Sequence, residues 1–278
     1  MNRHRATASL VASSLLLLLL GGCDQTPSAA SRPRLAVSSS YIECVLRELL
    51  GDAVNVERLV EPGMCPGHFD VRPAQVRRLS GCVALFRFDF QQSLDGQVRS
   101  IESLRVVPLT APGGMCEPQT YLAVCEQAGS ALLQLGLLDE KDLSSGLERL
   151  KDRLERKLLP ALTAEIVAAG LSDKAVISSG HQSAFCTRLG LRVVATIGGS
   201  DTTSIRRLDD AVKIGEAENC RFVVANRPEG TRLASSLASR LGARLVVFDN
   251  FPAMTPQQPD FDTMLRDNVR ALLSACEP

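Results

Sequence analysis

Short apolar runs alternate with segments of helical periodicity along most of the chain. In the first half, these patterns predict strands at 34–40, 54–60, 82–88 and 104–109, and helices at 41–50, 73–79 and 120–135. In the second half, they predict strands at 175–178, 193–197, 222–225 and 244–248, and helices at 181–189, 204–218, 231–241 and 261–276. Regular alternation of strand and helix is typical of an α/β fold with parallel sheets.

The stretch 140–170 interrupts this alternation. Its leucines follow spacings of three and four and therefore share one helical face, at positions 143, 147, 150, 154 and 158. Oppositely charged residues three and four apart support the other face, and Pro160 predicts a kink or a break. An ordinary surface helix is the simplest interpretation. Between two α/β series, the pattern also indicates one long helix at 140–172, which lies between lobes at 34–139 and 173–278 that each hold a central, mostly parallel sheet.

The N-terminal 22 residues have the features of a lipoprotein signal peptide. Two arginines precede an apolar run with six consecutive leucines, and Leu20-Gly21-Gly22-Cys23 follows. The run is shorter than the ~20 residues of a comfortable membrane span. We expect cleavage before Cys23, a lipid anchor on that residue and a tether at 23–33; an uncleaved anchor and a soluble export signal are the alternatives. Asp24 favours retention at the outer face of the inner membrane in some Gram-negative bacteria.

Charge, composition and missing motifs argue against several classes of function. Loss of residues 1–22 removes two arginines from a chain with 31 basic and 31 acidic residues, which leaves a net charge of −2. This balance gives no reason to expect nucleic acid as a partner. The sequence contains no Cys-x-x-Cys and no Gly-x-Ser-x-Gly, which argues against a thioredoxin-like protein and a hydrolase. We expect a protein that is not an enzyme, and we expect it to be a monomer.

Two histidines remain beyond residue 22, and both lie in loops. His68 lies in the Gly/Pro-rich segment 62–69, and His181 follows the apolar run that ends at Ser178. A lone histidine is more often a hydrogen-bonded structural residue than a ligand. Two imidazoles from different halves of the chain, each with a thiol nearby, nevertheless predict a metal ion held between two lobes.

Two segments carry a resemblance to a known family. Segment 61–73 reads Glu-Pro-Gly-Met-Cys-Pro-Gly-His-Phe-Asp-Val-Arg-Pro, and segment 241–249 reads Leu-Gly-Ala-Arg-Leu-Val-Val-Phe-Asp. Over most of 34–276 the chain resembles the zinc/manganese receptors of ABC importers, which have a rigid linking helix. The first segment is similar to the family's Pro-Gly-x-x-Pro-His turn with one added residue and implies that His68 is a metal ligand. The second is similar to the segment that ends in the family's ligand aspartate and implies the same role for Asp249.

The chain departs from this family at two ligand positions. The family's second histidine follows Asp/Glu-Pro, and here Gln119 stands at that place. Gln119 is a candidate weak ligand, or a donor that hydrogen-bonds a metal ligand without touching the ion, and a helix-capping role is equally compatible with its position. The family's third ligand aligns with Ser179, whereas His181 comes two residues later. His181 remains a candidate ligand if the loop is shifted.

Eight cysteines follow Cys23. Four lie in apolar periodic segments, where we expect buried side chains or structural disulfides: Cys44, Cys82, Cys125 and Cys220. Cys65 and Cys116 each follow a methionine in a Gly/Pro loop near positions where the family has ligands. They join His68 and His181 around a soft or borderline metal ion in one interpretation. They form a disulfide in a second interpretation and remain unpaired thiols in a third.

The sequence thus predicts a lipid-anchored receptor that captures a transition metal ion, with zinc preferred over manganese or Cu(I). The resemblance implies that it delivers the ion to an ABC permease and its ATPase. One alternative keeps the fold but exchanges the cargo for an organic molecule or a metal chelate. Another is a thiol-based metal-chaperone lipoprotein.

Overall fold

Two four-stranded parallel sheets form the centres of two lobes in the computed structural model, which describes residues 32–61, 71–198, 204–253 and 260–276. The first sheet has the order β2-β1-β3-β4. Its strands are β1 Arg34–Val37, β2 Asn55–Arg58, β3 Ala84–Phe88 and β4 Arg105–Leu109. The helices of this lobe are α1 Ser40–Leu50, α2 Pro73–Leu79, α3 Ser93–Val98 and α4 Pro118–Gln134.

The second lobe repeats this topology with the sheet order β6-β5-β7-β8. Its strands are β5 Ala175–Ser179, β6 Arg192–Ile197, β7 Phe222–Asn226 and β8 Arg244–Phe248. Its helices are α7 Ser183–Arg188, α8 Ile205–Ala217, α9 Arg232–Leu241 and α10 Phe261–Ser274. In each sheet the order of strands reverses beside the central strand, and ligands of such sheets bind at the carboxyl ends there. These switch points lie between β1 and β3 and between β5 and β7.

The linking helix continues without a gap from α5, Glu140–Lys151, to α6, Leu159–Ala168. A π-helical segment at Asp152–Leu158 joins the two. Pro160 lies in the first turn of α6, directly after this segment. Because proline has no N–H to donate, the hydrogen-bond ladder must change near it. Pro160 is therefore accommodated by wider, π-helical turns before it, and the helix does not break in two.

One apolar core extends through both lobes. The ring of Tyr121 in α4 stacks on Phe261 in α10, with centroids 4.0 Å apart and planes 11° apart. Tyr41 in α1 packs edge-on against both rings, at 5.4 and 5.7 Å. Such aromatic pairs stabilise a fold beyond the area that they bury. The lobes are consequently joined by a packed interface in addition to the linking helix.

The strands predicted from sequence are confirmed, with bounds that move by up to three residues. The largest move is at β1, which ends at Val37 because Ser39 caps α1 and its side chain accepts a hydrogen bond from the Ile42 N–H. Helix α7 begins at Ser183, so His181 lies in the turn before this helix and not at its first position. The short helix α3 was not predicted.

No helix in the described ranges has both the length and the apolar composition that a membrane span requires.

Candidate functional site

The two lobes meet through segments that follow the carboxyl ends of their strands. Gly114, after β4, lies against the loop after β5, since a Cβ at Gly114 would be 3.3 Å from the carbonyl oxygen of His181. The Glu117 carboxylate accepts hydrogen bonds from the Arg188 guanidinium across the interface, at 3.2 and 3.3 Å. This junction is where a parallel α/β fold presents its ligand-binding loops.

Cys116 from the N-terminal lobe inserts its thiol into the C-terminal lobe. The thiol donates a hydrogen bond to the Asp249 carbonyl oxygen at 3.1 Å, and Asn268 Nδ2 donates to the sulfur at 3.5 Å. Asn250 Oδ1 lies 3.7 Å from the sulfur. Cys116 is fully buried, and this burial raises the pKa of its thiol despite a hydrogen bond with Gln182. In this conformation Cys116 is a protonated thiol that docks one lobe onto the other.

Uncharged amides surround this thiol on the C-terminal side. Gln182 Nε2 donates to Asn250 Oδ1 at 2.6 Å and to Asn226 Oδ1 at 3.3 Å. Asn268 bonds both backbone groups of Asp249, at 2.8 Å to the N–H and 2.9 Å to the carbonyl. Gln182 is fully buried, and its Oε1 has no hydrogen-bond partner among the described residues. The network fixes the ends of β7 and β8 without any charged group.

His181 lies beside a carboxylate that the sequence analysis did not single out. Its Nε2 is 3.5 Å from Glu229 Oε1, and Ser179 donates a 2.6 Å hydrogen bond to Glu229 Oε2. The backbone N–H of His181 in turn donates a hydrogen bond to the Ser179 hydroxyl at 3.2 Å. Glu229 ends a 3₁₀ turn, Arg227–Glu229, that follows β7. Since β5 and β7 are neighbours at the switch point, the loop after each strand could have been searched for such a pair.

Asp249 has a charged partner of its own. Its carboxylate accepts a 2.7 Å hydrogen bond from Arg227 Nε, and the two side chains are 27% and 59% exposed. The turn that carries Glu229 towards His181 therefore carries Arg227 towards Asp249.

Gln119 is the one other predicted site residue that the structure describes, and it lies away from this junction. Gln119 is exposed in the first turn of α4 and lines a 270 Å³ groove with Leu147, Lys151 and other residues of α4 and the linking helix. This groove faces the linking helix and not the loops that hold His181. Cys65, His68 and Cys23 are outside the described residues. Within the described ranges, no three His, Cys, Asp or Glu side chains are arranged to hold a metal ion.

The apolar cysteines are buried, as the sequence predicts: Cys44, Cys82, Cys125 and Cys220. No two cysteines within the described ranges are joined by a disulfide, and Cys116 has a free thiol. These buried thiols thus act as small apolar side chains or as hydrogen-bonding groups.

Residues 35–275 match the model of the ZnuA family, described as zinc-uptake complex component A, periplasmic. The chain belongs to this family. ZnuA-family proteins are periplasmic receptors that bind metal and work with ABC importers. A comparison with curated proteins found no match.

Solved structures show the same fold. A crystal structure of ZnuA is 17% identical, has a TM-score of 0.70, and matches 89% of this chain and 100% of its own. A zinc-bound deletion mutant of ZnuA is also 17% identical, with a TM-score of 0.69 and coverage of 89% and 99%. A manganese-bound periplasmic metal-binding protein from Candidatus Liberibacter asiaticus is 13% identical, with a TM-score of 0.71 and coverage of 88% and 100%. The expected architecture of two α/β lobes is confirmed.

Proposed function

We propose that this protein is an extracytoplasmic receptor that captures a transition metal ion, with zinc preferred, and delivers it to an ABC permease and its ATPase. The observation that carries the proposal is the match to the ZnuA family across residues 35–275, which includes both lobes. The junction at the carboxyl ends of the strands supports it, because His181 lies there with an exposed side chain. In this proposal the metal ion is the transported cargo.

The donor types favour zinc. His68 and His181 are the histidines that remain beyond residue 22, and imidazole nitrogens suit Zn²⁺ well. Cys65 stays a candidate soft ligand, and with thiolates Cu(I) becomes an alternative; Mn²⁺ prefers oxygen donors. Cys116 would have to lose both its proton and its hydrogen bond to Asp249 before it bound a metal ion. We therefore give Cys116 a docking role in the conformation described above.

A metal chelate or an organic molecule is the second candidate cargo. The observation in its favour is the set of buried, uncharged amides at the junction, Gln182, Asn226 and Asn250, in which Gln182 Oε1 has no hydrogen-bond partner among the described residues. The thiol-based chaperone finds less support, because six of the seven described cysteines are buried and a metal-transfer thiol must be accessible as a thiolate.

Metal binding by the mature chain under reducing conditions tests the proposal. We expect one Zn²⁺ per molecule by isothermal titration calorimetry and by metal analysis. His68→Ala should weaken binding at least about tenfold, which corresponds to ~1.4 kcal/mol. Gln119→Ala is the matched control and should bind like the wild type, because Gln119 faces the linking helix.

Two outcomes would overturn the proposal. If Zn²⁺, Mn²⁺ and Cu(I) all fail to bind or to raise the melting temperature, the protein is not a metal receptor. If a metal chelate raises the melting temperature while the free ions do not, the cargo is the chelate.

We also propose that a lipid on Cys23 holds the receptor at the outer face of the inner membrane. The support is the Leu20-Gly21-Gly22-Cys23 sequence after an apolar run. In a Gram-negative host, the wild-type protein should fractionate with membranes, and its N-terminal peptide should carry acyl chains by mass spectrometry. Cys23→Ala should abolish the acylation. An unmodified Cys23 in the wild-type protein would refute the anchor.

A further inference from the structure

The separation of His181 and Glu229 matches that of two ligands on one metal ion. Nitrogen and oxygen ligands bind zinc at about 2.0–2.2 Å, so that two donors of one tetrahedral ion lie about 3.3–3.5 Å apart. His181 Nε2 and Glu229 Oε1 are 3.5 Å apart. The imidazole is 61% exposed and the carboxylate 20% exposed, so an ion can reach both from solvent.

Ser179 fixes the orientation of the Glu229 carboxylate. Its hydroxyl donates to Glu229 Oε2 at 2.6 Å, which leaves Oε1 directed at His181. Ser179 is buried at the end of β5, so its position is set by the sheet. Metal-binding carboxylates are commonly held by a hydrogen bond of this kind, which limits the loss of side-chain entropy on binding. The two ligand side chains are thus held in place by the short loops after β5 and β7.

Asp249 is less suited to the role of carboxylate ligand. Arg227 already supplies a positive charge 2.7 Å from its carboxylate. A metal ion would have to displace this guanidinium or approach it closely, and the repulsion between the two cations would oppose binding. Glu229 has no arginine or lysine within ion-pair distance in the described ranges; its charged partner is His181.

From this geometry we propose that Glu229 and His181 are the ligands that the C-terminal lobe provides to the captured metal, while Asp249 stays paired with Arg227. The proposal rests on the proposed function, metal capture. This assignment replaces Asp249, the residue directly after β8, by Glu229 in the turn after β7 as the carboxylate ligand. Water or other donors complete the coordination of the ion.

Zinc affinity of the full mature chain, measured by competition with a chromophoric chelator, tests this assignment. Glu229→Gln and His181→Gln should each weaken binding by about 100-fold, and Ser179→Ala by about 10-fold through loss of the orienting hydrogen bond. Asp249→Asn should stay within about twofold of the wild type. With Co²⁺ in place of Zn²⁺, Glu229→Gln should also change the visible absorption bands of the bound ion, whereas Asp249→Asn should leave them unchanged.

The outcomes separate this assignment from the proposed function. If the wild type binds no metal ion, metal capture itself is wrong, and the assignment falls with it. If the wild type binds zinc and Glu229→Gln binds equally well, only the assignment is wrong; the contact is then an ordinary ion pair. A large loss in Asp249→Asn would return the carboxylate role to β8. Melting temperatures of the metal-free variants show whether each one is folded, and glutamine at 229 can still accept the Ser179 hydrogen bond.

Discussion

Burial controls the chemistry of individual cysteines in this protein. Desolvation raises the pKa of Cys44, Cys116 and Cys125, and it raises the pKa of Cys186 to about 12. A thiolate in these positions would lose its hydration, and of the three whose causes include a nearby charge only Cys125 has a cation, Arg153, to offset part of that loss. These thiols therefore stay protonated in the folded protein at pH values where an unfolded thiol, with a pKa of about 8.5, has ionised.

This difference predicts that alkaline pH destabilises the protein. The pKa is higher in the folded state, so the stabilisation is complete below pH ~8.5 and is lost as the pH rises towards the folded-state value. One pH unit above 8.5, each such thiol should lower the free energy of unfolding by about 1.4 kcal/mol. Urea unfolding with a reductant, at pH 7.5 and pH 9.5, measures the loss.

Cys186→Ala provides the control for this prediction. It removes one of the four thiols, and the decrease in unfolding free energy between the two pH values should become smaller by about 1.4 kcal/mol. Equal decreases in the variant and the wild type would show that Cys186 ionises as easily in the folded protein as in the unfolded chain.

Among the elements, the linking helix makes the most distinctive contact. Arg153, in its π-helical segment, donates to both carboxylate oxygens of Glu48 in α1, at 3.0 and 2.6 Å. Its Nε lies 3.1 Å from Asp262 in α10. One side chain of the linking helix thus binds a helix from each lobe. Burial raises the pKa of Asp262 and the positive charge of Arg153 lowers it, so the ion pair offsets part of the cost of burying that carboxylate.

A double-mutant cycle of Glu48→Gln and Arg153→Met should reveal this contact. We expect a coupling free energy of about 0.5–1 kcal/mol, a modest value because Arg153 is 41% exposed and solvent screens the pair. Asp152 and Lys157, an ion pair on the outer surface of the same segment, form the control cycle and should couple by less than about 0.3 kcal/mol. Chemical denaturation measures both cycles; equal coupling in the two would show that the Glu48–Arg153 contact stabilises the protein no more than an ion pair on the surface.

At the scale of the whole molecule, periodicity predicted the architecture because it records which residues each element buries. Alternating apolar runs and amphipathic segments gave both sheets, and the leucines of 140–170 gave the linking helix. The position of His181, in a loop directly after an apolar run, also marked it as a candidate ligand. The contact of His181 with Glu229 was not predicted, because it joins residues 48 apart whose approach depends on the order of strands. The outward position of Gln119 likewise depends on how α4 packs against the linking helix.

The shared aromatic packing between the lobes has a spectroscopic consequence. The chain contains two tyrosines and no tryptophan, and both tyrosines lie in that packing. The tyrosine fluorescence of the protein therefore originates at one place, beside Phe261. Cargo binding that alters the spacing of the lobes changes the environment of both fluorophores at once, whereas events on the outer faces leave the emission constant. The tyrosine emission of the unlabelled protein thus reports any change in the packing between the two lobes.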